Sequence, residues 1–380
     1  MTQALNLANL ANSVNSSGQL AGSAVNGAVA SATNATNATN LTGGTCTIGT
    51  TQLGAGNASI MKNRIINGAM VIDQRNAGAS YTVPGGNSSA YYTIDRWSIQ
   101  SIGSNVFTTQ QSSTVPVGFS TSLKITVASA QSIGSSDYYE LQQPIEGYNI
   151  ADMQWGTANA KTVTLSFWAY SSLTGTFSGS LRNSDASRSY AFTYSIASAN
   201  TWTYCTVTIA GDTSGTWQTT NSTGIILGFD LGSGSSRKGS AGSWQSSNLY
   251  GVTGSVTLAS NASATLYLAG VQLEVGSSAT GFEYRQYGQE LALCQRYYEP
   301  NYNWIILAAQ TSNLSNGSFN IGFLVQKRDV PTMTFYPNTA GGTQGAFTTN
   351  TGFIYYDNTN ATKQLGSSSN TIAWKASAEL

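Results

Sequence analysis

The chain contains no histidine, and only 8% of its 380 residues are charged, against ~25% in typical soluble domains. Without histidine there is no imidazole general base, Ser-His-Asp triad, Cys-His dyad or His-ligated zinc. The 16 Lys and Arg residues balance 16 Asp and Glu, and no basic run occurs, so the chain has no electrostatic footprint for nucleic acid. Cys46, Cys205 and Cys294 are far apart, odd in number and form no CxxC. That excludes a full disulfide framework and reads as small buried hydrophobes of a chain folded in a reducing cytoplasm. The longest purely apolar run, Trp304–Ala309, is far short of the ~18 residues of a membrane span. The opening MTQALNLANL has neither the basic n-region nor the continuous apolar stretch of a signal peptide.

Against these absences stand 8 Trp, 20 Tyr, 12 Phe and 40 Gly. The aromatics suffice for a sizeable core and exclude a disordered chain. The length suits two or three domains, or one large β unit with appendages. Charge divides the sequence. Residues 1–61 carry none, residues 62–300 hold 12 basic and 13 acidic side chains, and residues 301–380 hold 4 and 3.

In the charge-free segment, Leu7, Leu10, Val14, Ala21, Ala24 and Ala28 follow a heptad-like spacing completed by Ser17. Gly18, Gly22 and Gly27 weaken any isolated helix there by ~1 kcal/mol each. A strict Ala-Thr-Asn triplet fills residues 32–40. The segment reads either as a linker or as a stalk ordered by identical neighbours, and missing charge favours packing against copies, since no ions need desolvating.

Residues 62–283 alternate as strands do. Leu123, Ile125 and Val127; Val163, Leu165 and Phe167; Phe192, Tyr194 and Ile196; Cys205, Val207 and Ile209; and Ile225, Leu227, Phe229 and Leu231 each mark a period of two. Thr265–Glu274 is a last strand. Gly, Ser and Asn breaks between these runs predict a β-sandwich of jelly-roll type. Tyr284, Tyr287, Leu291, Cys294 and Tyr298 then space as the stripe of a helix over 284–299, closed by Pro300. Alternation returns in Phe319, Ile321, Phe323 and Val325, in Met333 and Phe335, and in Trp374, Ala376, Ala378 and Leu380, so residues 300–380 form a small C-terminal β tip domain. The predicted fold is therefore mostly β: an N-terminal stalk or anchor segment (1–61), a central β-sandwich (62–283), a short linking helix (284–299) and the tip.

Two stretches are distinctive. The first is NRIINGAMVIDQR (63–75) followed by YTIDRW (92–97). The second is AGVQLE (269–274), FEYR (282–285) and YGQELALCQRYYE (287–299). With LQQPIEG (141–147), LSFW (165–168), the triplet ahead of a Leu-x-Gly-Gly turn and the closing ASAEL (376–380), they resemble the receptor-binding part of bacteriophage tail fibres over nearly the whole chain. The resemblance implies a homotrimeric virion component made in the host cytoplasm. Its residues 1–61 would dock on a tail or baseplate protein, and its distal end would meet a host surface glycan or protein receptor. The middle region is also similar to carbohydrate-binding-module jelly rolls, opening with Asn67-Gly68 and closing with Tyr267–Leu273. Where that family places acids that help hold a structural calcium, this chain has Ala269 and Gly270. No cofactor is expected.

Sugar binding needs exposed aromatic faces with planar polar groups beside them. Trp217 and Trp244, in Ser/Thr/Gly-rich loops with Gln218, Gln245 and Asn248, are the first candidates; Tyr355, Tyr356 and Asp357, with Asn358, are the second. Trp168 and Tyr170 fall on the strand face opposite Val163, Leu165 and Phe167, and Trp202 and Tyr204 oppose Cys205 and Val207; the competing role for all these rings, Trp217 and Trp244 included, is a second core, a subunit interface or a loop base. Asp95, Arg96 and Trp97 read as an internal ion pair with a stacked ring, Asp73 and Arg75 likewise, and Asp185 between Arg182 and Arg188 as a salt-bridged turn. A non-catalytic adhesin is expected, with attachment little affected by salt. The alternatives are a tailspike-like polysaccharide depolymerase using a carboxylate pair such as Glu140 and Glu146, a purely structural tail adaptor, and a host-side lectin.

Overall fold

The computed structural model describes residues 61–85, 90–102, 107–301, 305–307, 317–335, 344–357, 363–365 and 374–380. The chain divides into residues 1–53 and 54–380; all described residues belong to the second. The heptad-like spacing, the triplet and Cys46 lie outside them.

Fifteen strands build the first part: β1 (Tyr81–Thr82), β2 (Ala90–Ile94), β3 (Trp97–Ser101), β4 (Phe107–Ser112), β5 (Ser122–Val127), β6 (Tyr138–Glu146), β7 (Val163–Ser171), β8 (Gly175–Arg182), β9 (Ser189–Ile196), β10 (Thr203–Ile209), β11 (Thr223–Ser233), β12 (Lys238–Gly239), β13 (Trp244–Gln245), β14 (Gly251–Val252) and β15 (Thr265–Val275). One antiparallel sheet runs β1-β4-β5-β15-β7-β10 and the other β13-β9-β8-β11-β6-β3-β2. In β7, Val163, Leu165, Phe167 and Ala169 are fully buried between the sheets, and the intervening residues lie on the other face, where Thr164 and Ser166 are buried too. Phe229 of β11 sits at the centre, with ring centroids 5.0 Å from Phe167, 6.2 Å from Phe192 and Tyr194, and 6.3 Å from Trp97. Each such ring contributes about 1.5–3 kcal/mol through burial.

The two distinctive stretches, some 200 residues apart in sequence, meet in one seam. Asn63 Nδ2 donates to the Val271 carbonyl (3.1 Å), and Asn63 Oδ1 accepts from the Leu273 amide (3.0 Å). Backbone bonds join Arg64 N–H to the Leu273 carbonyl and Val271 N–H to the Gly68 carbonyl. A Cβ on Gly68 would lie 2.1 Å from the Val271 oxygen, so only glycine allows the approach. Asn67 Nδ2 donates to the carbonyls of Ile72 and Asp95, and the Trp97 indole donates to Asn67 O.

The helix, α1 (Tyr287–Gln295), is shorter than expected, and its buried face differs from the apolar stripe. Cys294 is fully buried and Glu290 nearly so, but Tyr284 and Tyr287 are 61% and 63% exposed. Tyr298 opens the next strand, β16 (Tyr298–Asn301). The seam explains the difference: Glu290 is drawn inward because it accepts the Asn67 amide and pairs with Arg285.

The remaining strands are β17 (Ile305–Leu307), β18 (Gly317–Gly322), β19 (Thr332–Phe335), β20 (Gln344–Thr348), β21 (Gly352–Asp357), β22 (Lys363–Leu365) and β23 (Trp374–Ser377). They pair as β16-β23-β19, β17-β22 and β18-β21-β20. Phe353, Trp374 and Ala376 form their core with Phe323 and Met333 packed against them. This region is latched to the sandwich through the chain's end. Glu379 pairs with Arg75 (2.5 Å) and Arg96, while Arg328 donates to the carbonyls of Ala378 and Glu379. Arg96 is 1% exposed, lies 3.7 Å over the Tyr297 ring, and donates to Pro144 O.

The charged neighbours singled out in the sequence are therefore not one another's partners. Arg96 occupies a two-residue hairpin turn at φ +70° and turns away from Asp95, whose carboxylate takes the Gln74 amide and side chain instead. Asp73 accepts from the amides of Asn76 and Gly78, while Arg75 goes to Glu379. Asp185 bonds Ser187, Arg182 pairs with Glu140, and Arg188 with Asp212. Cys205 and Cys294 are buried free thiols, and burial pushes Cys205 up to about 12.

Candidate functional site

The outward positions of β7 run Thr164, Ser166, Trp168, Tyr170: small and polar at one end, aromatic at the other. The polar end is roofed by the chain after β15. There Thr164 Oγ1 donates to the Gly276 carbonyl (2.8 Å) and Thr208 Oγ1 to that of Ser277 (3.1 Å). The aromatic end stays open.

Register then collects rings from three strands. Tyr170 is level with Tyr267 of β15, and Tyr267 with Lys124 of β5; Lys124 in turn is level with Gln110 of β4. Trp202, just ahead of β10, packs 5.4 Å from Tyr170 and 6.3 Å from Tyr267. Trp168 faces Tyr204 across β7 and β10 at 5.2 Å. Tyr204 is 46% exposed; Trp168, Tyr170 and Trp202 are half-buried; Tyr267 forms the floor, 5.0 Å from Tyr170. The row from Lys124 to Trp202 crosses four strands, about 14 Å at ~4.8 Å per strand. Thr126, Thr206 and Thr265 edge it with hydroxyls. The arrangement offers ring faces for stacking, bordered by donors and acceptors.

The loop tryptophans behave differently. Trp217 and Trp244 join Trp155, not singled out from the sequence, in a three-ring cluster with centroids 4.8, 5.2 and 5.3 Å apart. Trp217 is buried at 7% exposure, not displayed. All three indole N–H groups are bonded to carbonyls, of Ser214 for Trp217, Ala210 for Trp244 and Lys161 for Trp155. Three large rings, two from loops and Trp244 from β13, bury more apolar surface against one another than each could alone. Gln218 is exposed, Gln245 donates to the Ser240 carbonyl (2.8 Å), and Asn248 is half-buried with its Oδ1 unpartnered. Tyr355, Tyr356 and Asp357 lie on β21 opposite Phe319, Ser318 and Gly317 of β18. Their side chains, and Asn358, are outside the described residues.

The outer face of the second sheet carries a buried polar layer. Arg182 Nη2 donates to Glu140 (2.5 Å) and its guanidinium stacks 3.8 Å over Tyr250, itself stacked on Tyr138 at 4.3 Å. Burial pushes the Glu140 carboxyl up to about 7 against the opposing pull of Arg182. Burial also raises Asp230, against Lys238 at 3.6 Å. Glu146 is held separately by Arg296 (2.9 and 2.5 Å) and the Tyr297 hydroxyl (2.6 Å). Thus Glu140 and Glu146 are each engaged by their own arginine and buried.

Among the described residues no group of three or more Cys, Asp or Glu is placed to hold a metal, and no helix is long and apolar enough to cross a membrane. At Gly270, φ is +61° and a Cβ would strike the Phe119 ring at 2.4 Å, so this position, acidic in the jelly rolls the sequence resembles, requires glycine here.

No family model matches the chain, and no curated protein matches it. Among solved structures it is similar to the enzymatically active domain of tailspike protein 4 from bacteriophage CBA120, at 15% identity over 57% of this chain, TM-score 0.31. The chain spans 22% of that domain's length. It is also similar to a family 11 carbohydrate-binding module from Clostridium thermocellum in complex with a mixed-linked tetrasaccharide, at 9% identity over 53% of this chain and 98% of the module, TM-score 0.26. A module described as CBM4 matches at 15% identity over 55% of this chain and 98% of its own, TM-score 0.28.

Proposed function

We propose that the protein is a non-catalytic virion attachment fibre that binds a host surface glycan on the open aromatic half of the β7-β10-β15 face. It works as a homotrimer joined to a tail or baseplate protein through residues 1–61. The observation that carries this is the row of Tyr170 and Trp202 above the buried Tyr267, with Trp168 and Tyr204 beside it, left uncovered where the other half of the same face is roofed. Sugar C–H groups stack on the ring faces while hydroxyls bond Thr206 and Gln110. Three copies acting together turn weak sites into avid attachment through effective concentration.

The test places wild type, Tyr204→Ala and Trp168→Ala on an array of bacterial surface polysaccharides, following retention, polymer length and oligomeric state. Retention with intact polymer, reduced about tenfold per ring while the oligomer persists, supports the function. Shortened polymer would replace it with a depolymerase. Loss of the oligomer in the ring variants would make the face a subunit interface.

A further inference from the structure

We infer that the glycan taken by this face is acidic, with a sugar carboxylate seated against Lys124; this rests on the attachment function proposed above. The chain pairs most of its described cations with carboxylates: Arg182 with Glu140, Arg188 with Asp212, Lys238 with Asp230, Arg296 with Glu146 and Lys327 with Glu299. Lys124, although half-buried, forms no ion pair and donates no hydrogen bond among the described residues. Its ammonium reaches 5.8 Å from the Tyr267 ring centroid, at the end of the aromatic row.

Register fixes that position. Lys124 is directly opposite Tyr267, and facing Cβ atoms in such pairs are about 4.5–5.5 Å apart. A sugar stacked on Tyr170, whose ring lies 5.0 Å from that of the buried Tyr267, therefore brings a substituent pointing across Tyr267 within reach of the four-carbon stem. The outward residues flanking it, Gln110, Thr126, Thr265 and Tyr267, include no acid, and neither do Tyr170 and Trp202 farther along the row. Among the described residues the open half of the face thus holds one positive charge without a carboxylate partner and no acid to repel an anion. A neutral glycan would leave that ammonium unused, whereas a uronic or other carboxylated sugar completes the row with a charge-assisted hydrogen bond.

The experiment uses the full chain and a panel of bacterial capsular polysaccharides, each beside its carboxyl-reduced form, whose carboxylates have become hydroxymethyl groups. Wild type should bind at least one acidic polymer roughly tenfold tighter than its reduced form. Lys124→Gln should remove that preference without weakening binding to the reduced form, and Lys124→Arg should keep it. Raising salt from 0.05 to 0.5 M should narrow the gap between acidic and reduced forms. Equal binding to both forms, with Lys124→Gln unchanged, would overturn the inference and leave the attachment function standing. Failure to bind any glycan would overturn both. Melting temperature, recorded for each variant, separates a lost contact from lost folding.

Discussion

Replacing Glu379 with Gln tests whether the chain's end is a latch. The Glu379 side chain is 7% exposed and neutralises two arginines, Arg75 and Arg96, of which Arg96 is 1% exposed. Breaking a buried pair by removing one partner costs about 3–5 kcal/mol, because the other charge is left uncompensated. Here the lower figure applies, since Arg96 keeps its bond to the Pro144 carbonyl and its stacking on Tyr297. Arg75 is less buried, with its guanidinium 3.7 Å over the Tyr298 ring, and adds at most about 1 kcal/mol. A loss of roughly 3 kcal/mol at ~2 °C per kcal/mol for a body of this size lowers the melting temperature by about 6 °C. Scanning calorimetry reads this directly, and limited proteolysis should release the C-terminal residues first. Arg96→Met combined with Glu379→Gln should recover most of the loss, as an apolar replacement of the whole pair does. A change below about 0.5 kcal/mol for Glu379→Gln would refute the latch.

Four further outcomes are expected. Burial raises Asp95 to about 6, so its contribution is fully present below its unfolded value near 4 and is lost as pH rises through 6, on the order of 3 kcal/mol; Asp95→Asn should flatten the urea-midpoint profile between pH 4 and 6. Gly68→Ala should destabilise by at least about 3 kcal/mol in urea titration, because the atom it would meet is a backbone oxygen that cannot swing aside. Trp217→Phe should lower stability by about 1–2 kcal/mol and leave polysaccharide retention unchanged, whereas Tyr204→Ala should do the reverse. Cys294 should resist alkylation under native conditions and react only on unfolding, as followed by mass spectrometry.

Much of the sandwich was legible because an exposed-buried alternation needs only two-residue periodicity: β7, β10, β11 and β15 fall where the pattern puts them. The outward placement of Trp168, Tyr170, Trp202 and Tyr204 followed from the same periodicity. That these rings form one open surface did not, since it depends on the register of Tyr267 with Tyr170 and on how far the segment after Val275 extends over the sheet. The loop tryptophans misled because a ring flanked by Ser and Gly looks exposed until a neighbouring loop brings Trp155 against it. Ion pairs were illegible because they are made across the fold: Arg96, at a hairpin turn, reaches Glu379 and not Asp95, and Arg182, at the end of β8, reaches Glu140 and not the loop residue Asp185. The helix stripe held only in part: Cys294 and Leu291 pack inward, while Tyr284 and Tyr287 stay exposed and the polar Glu290 takes a buried place outside the stripe.

The seam between residues 63–68 and β15 has a mechanical consequence. Tension entering the body at Met61 passes through Asn63, Arg64 and Gly68 into Val271 and Leu273. Six residues back along that strand, about 20 Å at ~3.3 Å per residue, stands Tyr267, the floor of the aromatic row. On the proposed function, tether and sugar would pull on one strand. A particle tugged away from its host would load side-chain and backbone bonds of that strand together, beside the cluster in which Ile66 of the seam packs with Tyr297 and Leu380.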